Sequence, residues 1–478
     1  MFHVERRRFL AFVALAGLSA ALLAGCVSDE SRGWGAPVQT EDTQVLSVRK
    51  GKLDGIDTRS NPAPAWTGTL SAPLAVGDTR LLSVAISPTD TPFQGDLLRI
   101  ESEIVRVRSL SINGAEREMH LDRGFAGTTA SAHAAGAEIE AFRRAWRFPD
   151  DWHIRESGAR GLDGIYGSPL TDSNGVMYVG DYGGWVYAFD PEAINFDAAS
   201  DDDEPDVAVV DLGEAVIGGL ALDEDAGFLY VTAGEELHAV SLDRLRASLA
   251  AGGGVVDVET GFTFKAAGEL WAAPAVEDGV VYVTSLDGKL YALDGATGNV
   301  RWSFDGGKGL TTTPVIEGNL ALVGGFDSKV FGVNKSDGGL AWEAAATNWI
   351  LATPTIEAGT AYFGDFDGVL HAVDAQSGAE DWSLALDRGK IRASAAVSGD
   401  FVVVGTDEGW LIGVNRSTRQ RAWEVDVESD ILADLVADGD DVLIAPQGCV
   451  TLSGGEVKTY YRAVEAATGT LRRVEGLC

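Results

Sequence analysis

The chain has 478 residues, 45% of them hydrophobic, enough to bury the core of one large repeat domain and a small companion. Its 72 acidic against 37 basic residues leave a formal charge of −35. That balance excludes general nucleic-acid binding, which needs cations against phosphate, and docking on anionic lipid by charge alone.

In chain order, residues 1–26 read as a targeting segment. Arg6-Arg-Arg-Phe-Leu10 is a positive n-region, and Ala11 to Ala24 is an apolar stretch too short for an ordinary spanning helix. Leu23-Ala-Gly-Cys26 resembles a lipobox, in which Cys26 becomes the lipid-bearing first residue, and Arg-Arg-x-Phe-Leu resembles a twin-arginine export signal. The resemblance implies a protein lipid-anchored to the membrane on its extracytoplasmic side, at the periplasmic face or the cell surface. The alternative is a plain cleaved signal. Residues 27–60 read as a flexible tether.

Residues 61–142 form a small β-module by their alternation. Leu97 to Val107 is strand-like, Asn113-Gly114 marks a hairpin, and Met119 begins the return strand. Asp122-Arg-Gly-Phe-Ala-Gly-Thr-Thr-Ala-Ser-Ala-His133 resembles a module of phage-tail and other surface proteins, which implies an attachment unit. His133 has no neighbour at metal-ligand spacing and reads as a hydrogen-bonded structural histidine.

From 143 to 478 the chain repeats itself about every forty residues, the length of a four-stranded propeller blade. The clearest copy runs Trp271-Ala-Ala-Pro274, Val280–Val283, Asp287-Gly288, Lys289–Leu293, Thr297-Gly298 and Trp302. It parses as four short strands joined by tight Gly-containing turns. Three further clear copies carry Trp342, Trp382 and Trp423; two weaker ones precede, with insertions at about 191–206 and 241–258, and a degenerate one follows. Asp201-Asp-Asp-Glu204 in the first insertion lacks the register of a calcium loop and reads as solvated. The total is seven blades, or eight if the N-terminal module contributes a sheet. Arg144–Phe148 and Ala467–Val474 both resemble an outer strand and compete for that place in the last blade.

Tyr291-Ala-Leu-Asp-Gly-Ala-Thr-Gly-Asn-Val-Arg-Trp302 and His371-Ala-Val-Asp-Ala-Gln-Ser-Gly-Ala-Glu-Asp-Trp382 resemble the repeat of the PQQ-like propeller family. The resemblance implies an all-β fold in which Trp302, Trp342, Trp382 and Trp423 dock each blade on the next. It also raises two functions. In the family's dehydrogenases PQQ sits in the central funnel with calcium, under a disulfide of adjacent cysteines. This chain has neither adjacent cysteines nor a C-x-x-C-H haem site, and no carboxylate here matches that site by motif. No catalytic, cofactor or metal residue is therefore assigned, and neither PQQ nor calcium has motif support. The other branch is lipid-anchored propellers that act as scaffolds. That gives the preferred reading: a non-catalytic binding module for an envelope protein or polymer, with a quinone- or sugar-dependent enzyme as the alternative.

Cys449 and Cys478 both fall in the last copy, where an exported chain permits a disulfide; the alternative is two free thiols. The loops entering each blade gather at the channel mouth. They place Trp271, Lys308, Trp349, Lys390 and Arg392 as a candidate binding rim, Trp and Arg being what interface hot spots favour. The alternative for the two tryptophans is packing within blade junctions.

Overall fold

Short strands with β-branched residues and a Gly turn every few residues cannot bury both faces alone, and the chain solves this by stacking many small sheets. The computed structural model describes residues 38–39, 43–48, 52–57, 67–70, 72–76, 78, 80–84, 97–100, 103–113, 116–125, 131–142, 144–148, 164–190, 207–256, 260–445, 450–451 and 458–475. Cys26, Cys449, Cys478, the targeting segment and the acidic run at 201–204 lie outside them.

The seven sequence copies form seven antiparallel sheets in chain order, here sheets two to eight. Sheet four shows the pattern: Ala275–Glu277, Val280–Thr284, Lys289–Asp294 and Val300–Asp305, paired in that order. Its fourth strand carries a bulge just after the Ala292–Trp302 pair. Sheets five, six and seven repeat it after Gly332–Trp342, Ala372–Trp382 and Gly413–Trp423. A small residue thus always faces the indole. The segments entering the first strands of all seven sheets line one cavity, so these sheets radiate from a common channel with their first strands innermost.

Neighbouring sheets are tied at that inner edge by hydroxyl-to-carbonyl hydrogen bonds. Thr232 donates to Ala272, Thr284 to Thr312, and Thr355 to Ala395. Farther out, apolar clusters span each seam; one joins Leu320, Leu322 and Trp342 of sheet five to Phe363 and Val373 of sheet six. The repeated tryptophans lie in these seams. Trp302 Nε1 donates to Lys335 O at 2.8 Å, and Trp423 Nε1 to Ala466 O at 2.8 Å, each on the following sheet.

Two sequence expectations are corrected at the N-terminal side. The segment expected as a tether carries strands Val38–Gln39, Thr43–Val48 and Lys52–Asp57, which make a further four-stranded sheet, sheet one. Its fourth strand is Arg144–Phe148, paired with Lys52–Asp57. The two outer-strand candidates therefore do not compete, since Leu471–Glu475 closes sheet eight against Lys458–Glu465. The Asp-Gly of this segment, Asp54-Gly55, lies inside a strand instead of at a hairpin, and its Trp146 comes only after the barrel, so the copy did not stand out as a blade. The additional sheet comes from this segment and not from the module. The module, strands Thr67–Leu70 to Glu138–Phe142, closes on itself as a six-stranded barrel inserted between the third and fourth strands of sheet one. Its core includes Ile100, Val105, Met119, Leu121 and Ile139. His133 is buried there, bridged through its backbone to Leu74 and hydrogen-bonded to Ser131.

The insertion at 241–258 holds the helix Leu242–Ala250, followed by Gly254–Val255, which adds a parallel fifth strand to sheet two. Leu242 and Leu245 are its buried face, packed where sheets two and three meet.

Candidate aromatic rim at the channel mouth

The local device that builds this mouth is an aspartate at the start of a hairpin. Asp365 Oδ1 accepts the N–H of Asp367 and of Val369, which closes the turn and holds Phe366 at its tip. Its Oδ2 accepts from Thr347 and, at 2.9 Å, from His371 Nε2 on the returning strand. Asp181 is held the same way, by the N–H of Trp185 and the hydroxyl of Tyr187. Each hairpin then hangs on the loop entering its own sheet: Phe326 N–H donates to Gly309 O, and Phe366 N–H to Trp349 O. Entry loops and hairpin tips therefore share one face.

Burial by itself would raise the Asp365 carboxyl, yet its donors, His371 foremost, hold it down at about 2. A carboxylate with a folded pKa below its unfolded value near 3.8 stabilises the fold above pH 4, and that stability drains as pH falls towards 2. Replacing Asp365 with Asn should cost about 2 kcal/mol at pH 7, with the gap to wild type closing by pH 2 in melting curves taken across that range. A gap independent of pH would show that the carboxylate charge is not what His371 and Thr347 hold.

On this face an arc of rings runs from sheet four to sheet six and ends against two cations that enter sheet seven. Trp271 contacts Phe326 edge-on at 6.2 Å between centroids, Phe326 contacts Trp349 at 5.1 Å, and Trp349 contacts Phe366 at 5.9 Å. Lys390 Nζ and Arg392 Cζ each lie 5.8 Å from the Phe366 centroid, within cation–π range. Trp271 is fixed by donating from Nε1 to Glu269 at 2.7 Å. Lys308 pairs with Asp327 at 3.3 Å and Lys390 with Asp407 at 3.4 Å. Tyr182, 44% exposed, sits at the corresponding tip of sheet two, its ring 5.5 Å from Tyr166.

Of the five rim residues read from the sequence, Trp271, Trp349, Lys390 and Arg392 are brought into this one arc. Lys308 stands beside it, on the Asp327 that follows Phe326. Trp271 and Trp349 are partly exposed rather than part of the seam clusters. The residues that connect them, Phe326 and Phe366, were not anticipated. They stand forty residues apart, each before the closing Asp of Gly-Phe-Asp and Asp-Phe-Asp, so the repeat period itself could have found them. Below the arc the channel widens into a cavity of about 330 Å³ walled partly by Trp271, Phe326 and Arg392. Among the described residues, no group of three or more His, Cys, Asp or Glu is placed to hold a metal.

Comparison with known proteins points the same way as the fold. A family model described as outer membrane protein assembly factor BamB matches residues 206–348, 305–389 and 366–472, together more than half of the 478 residues. No curated protein matches. Among solved structures, BamB from Moraxella catarrhalis is 14% identical with a TM-score of 0.48, covering 80% of this chain and 95% of its own. The computationally designed Ika8 protein is 14% identical with a TM-score of 0.47, covering 84% and 96%. The recurring tryptophan sheets and the extent of the family match make this chain a member of the PQQ-like β-propeller family described as outer membrane protein assembly factor BamB.

Proposed function

We propose that the protein is a non-catalytic scaffold of the cell envelope that docks a protein partner on the aromatic rim of its channel. The observation that carries this reading is the arc of Trp271, Phe326, Trp349 and Phe366 with Lys390 and Arg392 at its end. Large rings and cations gathered on one exposed face are the side chains that dominate binding energy at interfaces. On a body of charge −35 they make the face chemically distinct from most of the surface. The family's name, an assembly factor for outer membrane proteins, supports a partner that is itself a protein. The export signal and Cys26 read from the sequence would hold the rim on the extracytoplasmic side of a membrane.

A quinone-and-calcium site in the funnel fits poorly. Calcium takes roughly six to eight oxygen ligands. The described cavity wall offers a single carboxylate, that of Asp434.

Full-length protein, captured from native membranes with its partners, tests the reading. Trp349→Ala should weaken capture roughly 30-fold, the size of a hot-spot loss near 2 kcal/mol. Lys390→Glu with Arg392→Glu should weaken it further and make the remainder less sensitive to salt. Undiminished capture by both variants, with melting temperatures close to wild type, would remove the rim as the docking site.

A further inference from the structure

The throat of the channel repeats one position from sheet to sheet: Ala273, Thr313, Thr353, Ser394 and Asp434, spaced forty or forty-one residues apart. At one seam Thr313 N–H donates to Thr353 Oγ1 at 3.2 Å. At the last seam Ser394 N–H donates to Asp434 Oδ1 at 2.6 Å. The two bonds are the same tie between neighbouring sheets, and a hydroxyl is sufficient for it. The second oxygen of Asp434, and its charge, are surplus to that structural role.

Asp434 lines the cavity and is exposed to the solvent that fills it. No described Lys, Arg or His forms an ion pair with it. An exposed carboxylate without an ion-pair partner on a channel wall is open to a cation that enters the cavity. The same cavity is walled in part by Trp271, Phe326 and Tyr166. Aromatic faces favour an organic cation over a small hydrated metal ion. The field of an acidic body concentrates cations in a cleft with low-dielectric walls.

We propose that this throat binds an alkylammonium group, with Asp434 as its anionic partner and the ring-lined wall of the cavity as the sheath of its alkyl stem. A free diamine and the lysine side chain of a docked partner share this chemistry. Arg392, on the same wall, carries the like charge and weakens binding. The site shares Trp271, Phe326 and Arg392 with the rim, but its acceptor, Asp434, enters sheet eight, so diamine binding by the Asp434 variants is read separately from partner capture.

The test is calorimetric titration of the full-length protein with 1,5-diaminopentane, using pentane-1,5-diol as the neutral counterpart. Wild type should show one saturable site for the diamine and none for the diol. Asp434→Thr substitutes the side chain that already serves at position 353, so the variant should fold and lose at least tenfold in affinity. Asp434→Asn, which keeps an oxygen for Ser394, should lose as much. Arg392→Gln should bind several-fold tighter. A lysine-containing pentapeptide that displaces the diamine, where its norleucine counterpart does not, identifies a partner's side chain as the source. Displacement by neither leaves the free amine as the ligand. Equal diamine binding by wild type and both Asp434 variants, or binding of the diol, overturns the proposal, since general attraction to an acidic surface would then account for the heat.

Discussion

Replacing Trp342 with alanine is expected to lower the unfolding free energy by about 3–5 kcal/mol, the range for truncating a large core aromatic. Trp342 is 8% exposed and lies in the cluster that joins sheet five to sheet six. One face of its indole covers Gly332, where a Cβ would come within 2.3 Å of the ring. The other meets Gly378 in the Ser-Gly turn of the next sheet, where a Cβ would come within 2.4 Å. The indole is therefore clasped between two glycines on different sheets, which is how one blade is keyed to the next. Its Nε1 has no hydrogen-bond partner, so unlike Trp302 and Trp423 it holds the seam by packing alone. Gly378→Ala should also destabilise, both by the clash and because its φ of +68° suits glycine. The decisive measurement is the double-mutant cycle. With the indole gone, the clash of the new methyl disappears, and the double variant should be more stable than the sum of the single losses by roughly 1 kcal/mol or more. Strict additivity would mean that the two do not form one joint.

That joint also shows how much of the fold the sequence carried. A tryptophan, a turn opened by Thr or Ser and a hairpin opened by Asp recur in register through the clear copies, and each serves the same four-stranded sheet. Seven sheets could be counted from them. Sheet one could not, because Thr43–Val48 and Lys52–Asp57 alternate poorly and their fourth strand, with its Trp146, arrives about ninety residues later, beyond the barrel. Periodicity reports on neighbours in sequence. It is silent about a strand returned by an insertion.

The site was legible to a similar depth. Loops that follow each fourth strand had to meet at one face, which brought Trp271, Trp349, Lys390 and Arg392 into view together. The hairpin tips were overlooked because Asp-Phe-Asp-Gly reads simply as a turn, and nothing local says that its Phe points at the preceding loop. Asp434 was invisible for a different reason. Its hydrogen bond to Ser394 copies that of Thr353 to Thr313, so a carboxylate occupies a place whose geometry calls only for an oxygen. Only the closed channel makes its charge conspicuous.

The seam between sheets two and three should prove the most sensitive to a single charged residue. Asp172, whose side chain is fully buried, accepts the N–H of Asn174 and Val176 on Oδ1. On Oδ2 it accepts the hydroxyl of Tyr178 at 2.8 Å and both Nε and Nη2 of Arg246, at 3.0 and 2.8 Å. Arg246 comes from the inserted helix and reaches Glu224 of sheet three as well, so one guanidinium pins the helix and two sheets. Arg246→Met keeps the stem but strands the carboxylate, and should cost about 3–5 kcal/mol. Adding Asp172→Asn to that variant should recover much of the loss, because the amide oxygen still accepts from Tyr178 and carries no charge. The pH dependence separates this account from mere loss of packing. Burial pushes the Asp172 carboxyl up, but in wild type Arg246, Tyr178 and the two backbone donors outweigh it and hold the pKa below 3.8. This contribution to stability is therefore complete above pH 4 and is lost as acid protonates the folded form. In Arg246→Met the cation is gone, burial prevails, and the folded pKa should rise above its unfolded value. The sign then reverses: the variant should gain stability relative to wild type as pH falls from 7 towards 4. A deficit of constant size over that interval would place the work of Arg246 in its methylene stem instead of its charge.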